Sequence, residues 1–316
     1  MPVELITQVS MVSKFPPFLI LFFGCAFLFS TAIQAQGCSD AGVCTVHSFK
    51  PNGLDSISEL SNQFKVGISY GSADNNISVF GSYLEYGRQF SEKFGIDARL
   101  TSLAQSGNDI STFGLSDIFL NSNYRISKKA TLTIGFKIPL SDASKMEDGR
   151  ALPMDYQSSL GTFDLLLGFG YFINKLHLVA AYQQPLTQNN NAFFAEDYPL
   201  GSPLRDFQST NNYIRSGDIL LRASYPIDLG QKFRLTPSLL PIYHLANDKY
   251  TDKDGMEIEI DGSQGLTLNG NLYLDYYLDE KQALQFNVGS PFIVREVRPD
   301  GLTRSFVASL EYRIRF

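Results

Sequence analysis

Residues 161–182, GTFDLLLGFGYFINKLHLVAAY, are long enough to cross a bilayer as a helix, yet Asp164 stands near the start and Asn174-Lys175 in the middle. A membrane helix needs about 20 apolar residues, and a charge near its centre costs about 2.5–3.5 kcal/mol. With a period of two, the same residues make sense. Phe163, Leu165, Leu167, Phe169 and Tyr171 share one face, opposite Asp164, Leu166, Gly168, Gly170 and Phe172. Beyond Asn174-Lys175, Leu176, Leu178, Ala180 and Tyr182 oppose His177, Val179, Ala181 and Gln183. An Asn-Lys pair between two such runs is a tight hairpin connection. The stretch therefore predicts two strands, each of about ten residues, enough to cross a bilayer when tilted by about 45°.

The alternation recurs and predicts strands near 62–72, 76–90, 94–103, 113–126, 130–140, 158–173, 176–185, 216–227, 231–246, 263–279, 282–292 and 303–316. That makes twelve, with fourteen left open. The connections SEK, SKK, NK, LGQ and DEKQ are short, and those near 104–112, 141–157, 186–215, 247–262 and 293–302 are longer, with a tighter ADNN between the first two strands. Short turns at one end and long loops at the other are the pattern of an outer-membrane barrel with both termini in the periplasm. The expected fold is thus an all-β, antiparallel transmembrane barrel spanning 62–316, exposed to outer-membrane lipid.

Aromatic spacing points the same way. Tyr86, Tyr124, Tyr171, Tyr225, Tyr276 and Tyr312 each precede a short turn or the chain end on an apolar face. Barrels carry such girdles at the membrane boundary. The final SFVASLEYRIRF alternates up to Phe316, and resembles the terminal signal by which bacterial outer-membrane proteins are recognised by the barrel-assembly machinery. This strand must pair with the first, because an open edge in lipid leaves backbone groups unbonded.

Ahead of the barrel, Lys14, the apolar run from Phe18 to Phe29 and a small-residue cut after Ala35 predict a signal peptide over 1–35. Residues 36–61 read as a periplasmic segment or a plug in the lumen. Cys38 and Cys44 are a disulfide candidate; two sulfurs without neighbouring histidines argue poorly for zinc, so no metal or cofactor is expected. A net charge of −6 with no basic run leaves no nucleic-acid footprint.

GLSDIFLNSNY, GTFDLLLGFGY and SGDILLRASY each place an aspartate (Asp117, Asp164, Asp218) seven residues before a tyrosine. The odd spacing turns the aspartates inward and the tyrosines outward, or else the aspartates cap strand starts and pair with interior arginines. The phrase Gly-x-x-Asp-Ile/Leu-x-Leu resembles the outer-membrane family of the MetA pathway of phenol degradation, itself similar to fatty-acid and aromatic-hydrocarbon channels. The resemblance rests mainly on residues 114–124, with Ser116 departing from the commoner Gly-Leu-Gly-Asp. It implies passage of small apolar or aromatic solutes and carries no enzymatic residues.

Parity places Glu85, Asp97, Arg99, Asp117, Arg125, Lys137, Asp164, Asp218, Arg222, Asp275, Glu311, Arg313 and Arg315 inside, with apolar Leu166, Phe172, Leu220, Leu240 and Ile242. Asp117, Asp164, Asp218, Arg99, Arg222, Leu166, Phe172 and Leu220 are the candidate solute path. Pro237 and Pro241 are possible bulge sites that would reset parity for Leu240 and Ile242. An outer-membrane lipase would need a histidine on the lipid-facing wall beside a serine; His177 and His244 both turn inward, His177 as a hydrogen-bonded lumen residue, and no enzyme is expected. Tyr250 falls on the first ligand position of an EF-hand read through TDKDGMEIEIDG, so Asp254-Gly255 reads as a hairpin tip. The function expected is a channel for small apolar solutes. The alternative is a barrel that binds, receives or assembles without transporting.

Overall fold

The structure is a computed structural model that describes residues 62–301 and 305–316. The signal peptide, the 36–61 segment and the Cys38–Cys44 pair lie outside the described residues.

Twelve antiparallel strands follow one another around a closed wall: β1 Asn62–Ser72, β2 Ser78–Gln89, β3 Phe94–Gly107, β4 Ile110–Arg125, β5 Ala130–Pro139, β6 Asp164–Ile173, β7 Leu176–Pro185, β8 Asp218–Ser224, β9 Phe233–His244, β10 Gly265–Tyr277, β11 Gln282–Ile293 and β12 Phe306–Arg315. A short continuation of β8, Ile227–Leu229, resumes beyond Tyr225-Pro226 and pairs with β9. Each strand pairs with its chain neighbour, and β1 pairs with β12 from Gln63–Arg315 to Ser72–Phe306. Phe316 and Asn62 add two backbone hydrogen bonds of 2.9 and 3.0 Å to this seam. No edge is left open, as a sheet in hydrocarbon requires.

Side-chain alternation builds the two surfaces. On β6, Leu167, Phe169 and Tyr171 are exposed while Asp164, Leu166, Gly168 and Gly170 are buried. The outer surface is apolar along the rest of the wall too, through residues such as Ile68, Leu84, Leu120, Ile134, Leu221 and Phe286. Pro237 and Pro241 cause no register shift between β9 and β10, so Leu240 stays inside, with Ile242 packed against the same apolar cluster.

The parity reset occurs elsewhere. On β4, Ser116 and Asp117 together oppose Thr101, which donates its hydroxyl to the Asp117 carbonyl and accepts from the Asp117 N–H, both at 3.1 Å. This bulge buries two consecutive residues and turns Phe113 and Leu115 outward. A second correction concerns the expected loop near 104–112. Strands β3 and β4 run on to a two-residue turn, Asn108-Asp109, both at positive φ (52° and 64°). Asn and Asp tolerate that conformation, which matches the twist of the flanking strands, so the hairpin extends instead of opening into a loop.

The remaining long connections fold over one end of the barrel. Residues 140–163 hold a small hairpin, Met146–Glu147 with Arg150–Ala151, and a 3-10 turn, Met154–Tyr156. Residues 245–264 form a second hairpin, Lys249–Thr251 with Glu257–Glu259, whose tip at Gly255 (φ 81°) is the one expected. Two apolar clusters bind these loops together. Leu152, Tyr156, Phe193, Leu204 and Phe207 pack with Ile77, Val79, Leu103 and Ile110 of the strand ends, and Met154, Leu160, Tyr213 and Ile260 form the other.

Candidate functional site

The inward positions of the wall divide into two faces. On one, cross-strand register aligns Arg313, Lys65, Glu85, Arg99, Phe119, Lys137 and Asp164 on seven consecutive strands from β12 to β6. Lys65 Nζ lies 2.7 Å from Glu85 Oε1, and Arg99 donates its Nε–H to Glu85 Oε2 at 2.6 Å. The Arg99 guanidinium also covers the Tyr83 ring at 4.1 Å, and Tyr83 donates to Glu311. Further round, Lys137 pairs with Asp164 at 3.0 Å and donates to Thr162 at 2.8 Å. Asp97 accepts from Asn121 and Asn123, each at 2.7 Å. Buried charges persist only when matched in this way.

The other face, on β6–β9, is apolar. Leu166, Val179, Ala181, Leu220 and Leu240 form a buried cluster with Phe119, and Ile242 packs against it. Toward the short-turn end, Phe172 stacks on His177 with centroids 4.2 Å apart and planes 8° from parallel. His177 is buried, yet neither ring nitrogen has a hydrogen-bond partner among the described residues. The expectation of a hydrogen-bonded His177 is corrected: its neighbours across the strands are Phe172 and Ser224, and it stacks on the first without bonding the second.

At the long-loop end a charged network joins three loops to two strands. His244, the last residue of β9, has Nδ1 2.7 Å from Asp218 Oδ1 and Nε2 2.8 Å from Asp248 Oδ1. Asp248 also accepts from the Tyr213 hydroxyl at 2.7 Å and the Ser216 N–H at 2.9 Å. Arg215 bonds Asp218 at 2.5 Å, and Arg295 bonds Asp300 at 2.8 Å. Burial alone would raise the Asp300 carboxyl, but the guanidiniums of Arg295 and Arg215 hold it below the usual carboxylate range. Burial and the Asp248 carboxylate push the Tyr213 hydroxyl well above its ordinary value. The network ties the loops 186–217 and 245–264, and residues 294–301, to the rim of β8 and β9.

A closed wall with an apolar outside, a polar and apolar lumen and one capped end has clear counterparts among solved structures. An outer-membrane channel from Pseudomonas putida F1 matches with a TM-score of 0.59 at 13% identity, over 84% of this chain and 99% of that one. The fold is that of outer-membrane β-barrels. Looser matches include the translocator domain of the autotransporter NalP from Neisseria meningitidis (TM-score 0.47, 12% identity, 84% of this chain and 91% of that one). The toluene transporter TbuX of Ralstonia pickettii is another (0.42, 10%, 89% and 95%). No family model matches the chain, and no curated protein matches it in sequence; the family resemblance rests on the sequence phrases themselves, mainly residues 114–124.

Within this barrel, the site residues expected from sequence distribute unevenly. Leu166 and Leu220 come together in the apolar cluster, with Arg222 buried one inward step beyond Leu220 and Phe172 at the stacked pair. Arg99 lies on the opposite, ion-paired face. Asp164 and Asp218 begin their strands and pair with Lys137, and with Arg215 and His244, respectively, and both are buried in the interior. Asp117 accepts from Ser116 at 2.8 Å and Ser159 at 2.7 Å. The six tyrosines lie at the short-turn end on the outer side; Tyr86 donates to Asn62 at 2.8 Å, and Tyr312 to Gln282 at 2.5 Å. The loop-end network escaped sequence reading, because Tyr213, Arg215, Asp248, Arg295 and Asp300 come from loops without periodicity. The inward parities of Asp218 and His244 were its visible traces.

Proposed function

We propose that the chain is a channel of the bacterial outer membrane for small, mainly apolar solutes, exported by the 1–35 segment and inserted by the barrel-assembly machinery, with Phe316 part of the insertion signal. In this reading the short turns face the periplasm, the tyrosines form the girdle there, and the capped end faces outward. The observation that carries it is the apolar strip of β6–β9 inside an otherwise charged lumen. Leu166, Leu220 and Leu240 are closed on one another; water and ions gain nothing by parting them, whereas an apolar solute that inserts among them buries its own surface at roughly 25 cal/mol per Å². The reading is non-enzymatic; among the described residues neither wall histidine is hydrogen-bonded to a serine hydroxyl.

The test is uptake into proteoliposomes. The purified chain should admit toluene faster than protein-free vesicles do, and Leu220→Asp should cut the excess rate severalfold. The rival reading, a binding, receptor or assembly component without transport, draws on the folded cap and on Leu200, 90% exposed in its longest loop. No excess rate, with a stable protein co-purifying, favours that rival.

A further inference from the structure

His177 on β7, Ser224 on β8, Ser238 on β9 and Asn271 on β10 occupy directly opposed inward positions on four neighbouring strands. They are 3%, 2%, 5% and 6% exposed. Neither nitrogen of His177, neither serine hydroxyl, nor the Asn271 Nδ2 has a hydrogen-bond partner among the described residues. Buried polar atoms are bonded in the great majority of cases, and each one left unbonded carries its full desolvation cost. Four in one row, on strands whose opposed side chains are spaced by about 5 Å, are more than scattered defects.

The surroundings say what would satisfy them. Phe172 stacks on the imidazole and fixes its plane, leaving the ring edge for bonding. One inward step toward the loop end, Val179 on β7 and Leu240 on β9 stand either side of the buried Arg222 of β8, with Leu220 a further step up on β8; the three apolar residues belong to one cluster. Serine hydroxyls donate and accept, the asparagine amide nitrogen donates, and imidazole does either according to tautomer. We infer that this row binds the oxygen of a small, otherwise apolar solute, a hydroxyl or carbonyl compound whose hydrocarbon body lies on Val179, Leu220 and Leu240. The inference rests on the channel reading and narrows it from apolar solutes to those with one oxygen function at an end.

The test compares benzyl alcohol with toluene, two probes of similar size that differ by one hydroxyl, on the full chain in nanodiscs. With 15N-labelled histidine, three imidazoles report, and His177→Gln assigns the one of interest. Benzyl alcohol should shift the His177 signal saturably and bind about tenfold tighter than toluene, a difference worth one to two hydrogen bonds. Ser224→Ala/Ser238→Ala should shrink that ratio to about twofold, and Asn271→Ala should shrink it less; Leu220→Ala should weaken both probes alike. Equal affinities in the unaltered chain would overturn the site, as would a ratio indifferent to the serine and asparagine changes. A His177 signal that ignores saturating benzyl alcohol would also overturn it, leaving the row to ordered water. Proteoliposome uptake separates the two claims. Passage of both probes without discrimination in binding sinks the site and leaves the channel standing. Discriminating binding without passage of either supports the site and overturns the channel.

Discussion

The two faces of the lumen are built from the same strand alternation and put to opposite uses. From β12 through β1–β3, inward side chains satisfy one another: Lys65 and Arg99 share Glu85, and Tyr83 bridges to Glu311. From β6 to β9 the inward side chains include Leu166, Val179, Leu220 and Leu240, beside His177, Ser224 and Ser238, whose polar atoms have no partner among the described residues. The first face fills its own volume and stiffens the wall. The second leaves its interactions open to something that arrives. A lumen need not be lined uniformly to be selective, because one self-satisfied wall narrows the path onto the other.

The largest way to break this comparison is at Glu85. Glu85→Ala leaves two buried cations without their shared acceptor, and removal of one partner from a buried pair costs about 3–5 kcal/mol. Urea unfolding in phospholipid vesicles, followed by heat-dependent gel mobility, should show that loss. A change under about 1 kcal/mol would mean the charged face is hydrated and the contrast false.

Next comes the cap. Asp248 accepts from Tyr213, Ser216 and His244 at once, and Asp248→Ala takes the acceptor from all three while His244 keeps only its Asp218 contact, at about 1–3 kcal/mol. The loss should fall on the loops, with the wall intact. Single-channel recordings should show longer open times, and proteolysis should nick 186–217 or 245–264 before any strand. Cleavage of wall and cap together would show that the network belongs to the barrel.

On the apolar face the expected cost is smaller. Leu→Ala in a filled core costs about 2–5 kcal/mol. Leu240→Ala, in a cluster packed with Leu166, Val179, Leu220 and Phe119, should cost about 2 kcal/mol in the same assay, the low end of that range, since water or solute in the lumen can refill the space it vacates. A loss matching Glu85→Ala would make this cluster a structural core and remove the solute path.

What could be read in advance follows from how far each feature depends on local pattern. All twelve strands and the inward aspartates were legible, because alternation, hairpin turns and closure act within or between adjacent segments. Asn108-Asp109 was missed since two permissive residues prolonged a hairpin where polarity suggested a loop. The Ser116–Asp117 bulge was invisible because it depends on Thr101 in the neighbouring strand. The bonding state of His177 was misjudged for a related reason. Parity gives direction, but partners are set by register across strands. The cap is the extreme case, with Tyr156, Phe193 and Ile77 meeting from three separate connections.

The smallest effect expected is a pH dependence in that cap. Asp155, in the 3-10 turn Met154–Tyr156, is pushed up to about 7 by burial, and the Asp74 and Asp300 carboxylates add to the rise against the pull of Arg298. Its value in an unfolded loop is about 3.9, so the folded cap holds the proton more tightly than the open one. The contribution of Asp155 to closure is therefore complete below about pH 4 and is lost as pH rises through about 7. Asp300 runs the other way. Arg295 and Arg215 hold it low, so its contribution is intact above the ordinary carboxylate range and steady between pH 5.5 and 8. Hydrogen exchange of residues 150–160, taken as a ratio to Asp155→Asn at each pH, removes the intrinsic pH effect. The ratio should show the unaltered cap opening more at pH 8 than at 5.5, while peptides from β1–β3 stay level. If the ratio is flat, Asp155 titrates as an exposed carboxylate, and the cap is held by its apolar clusters and the Asp248 network without a proton-dependent part.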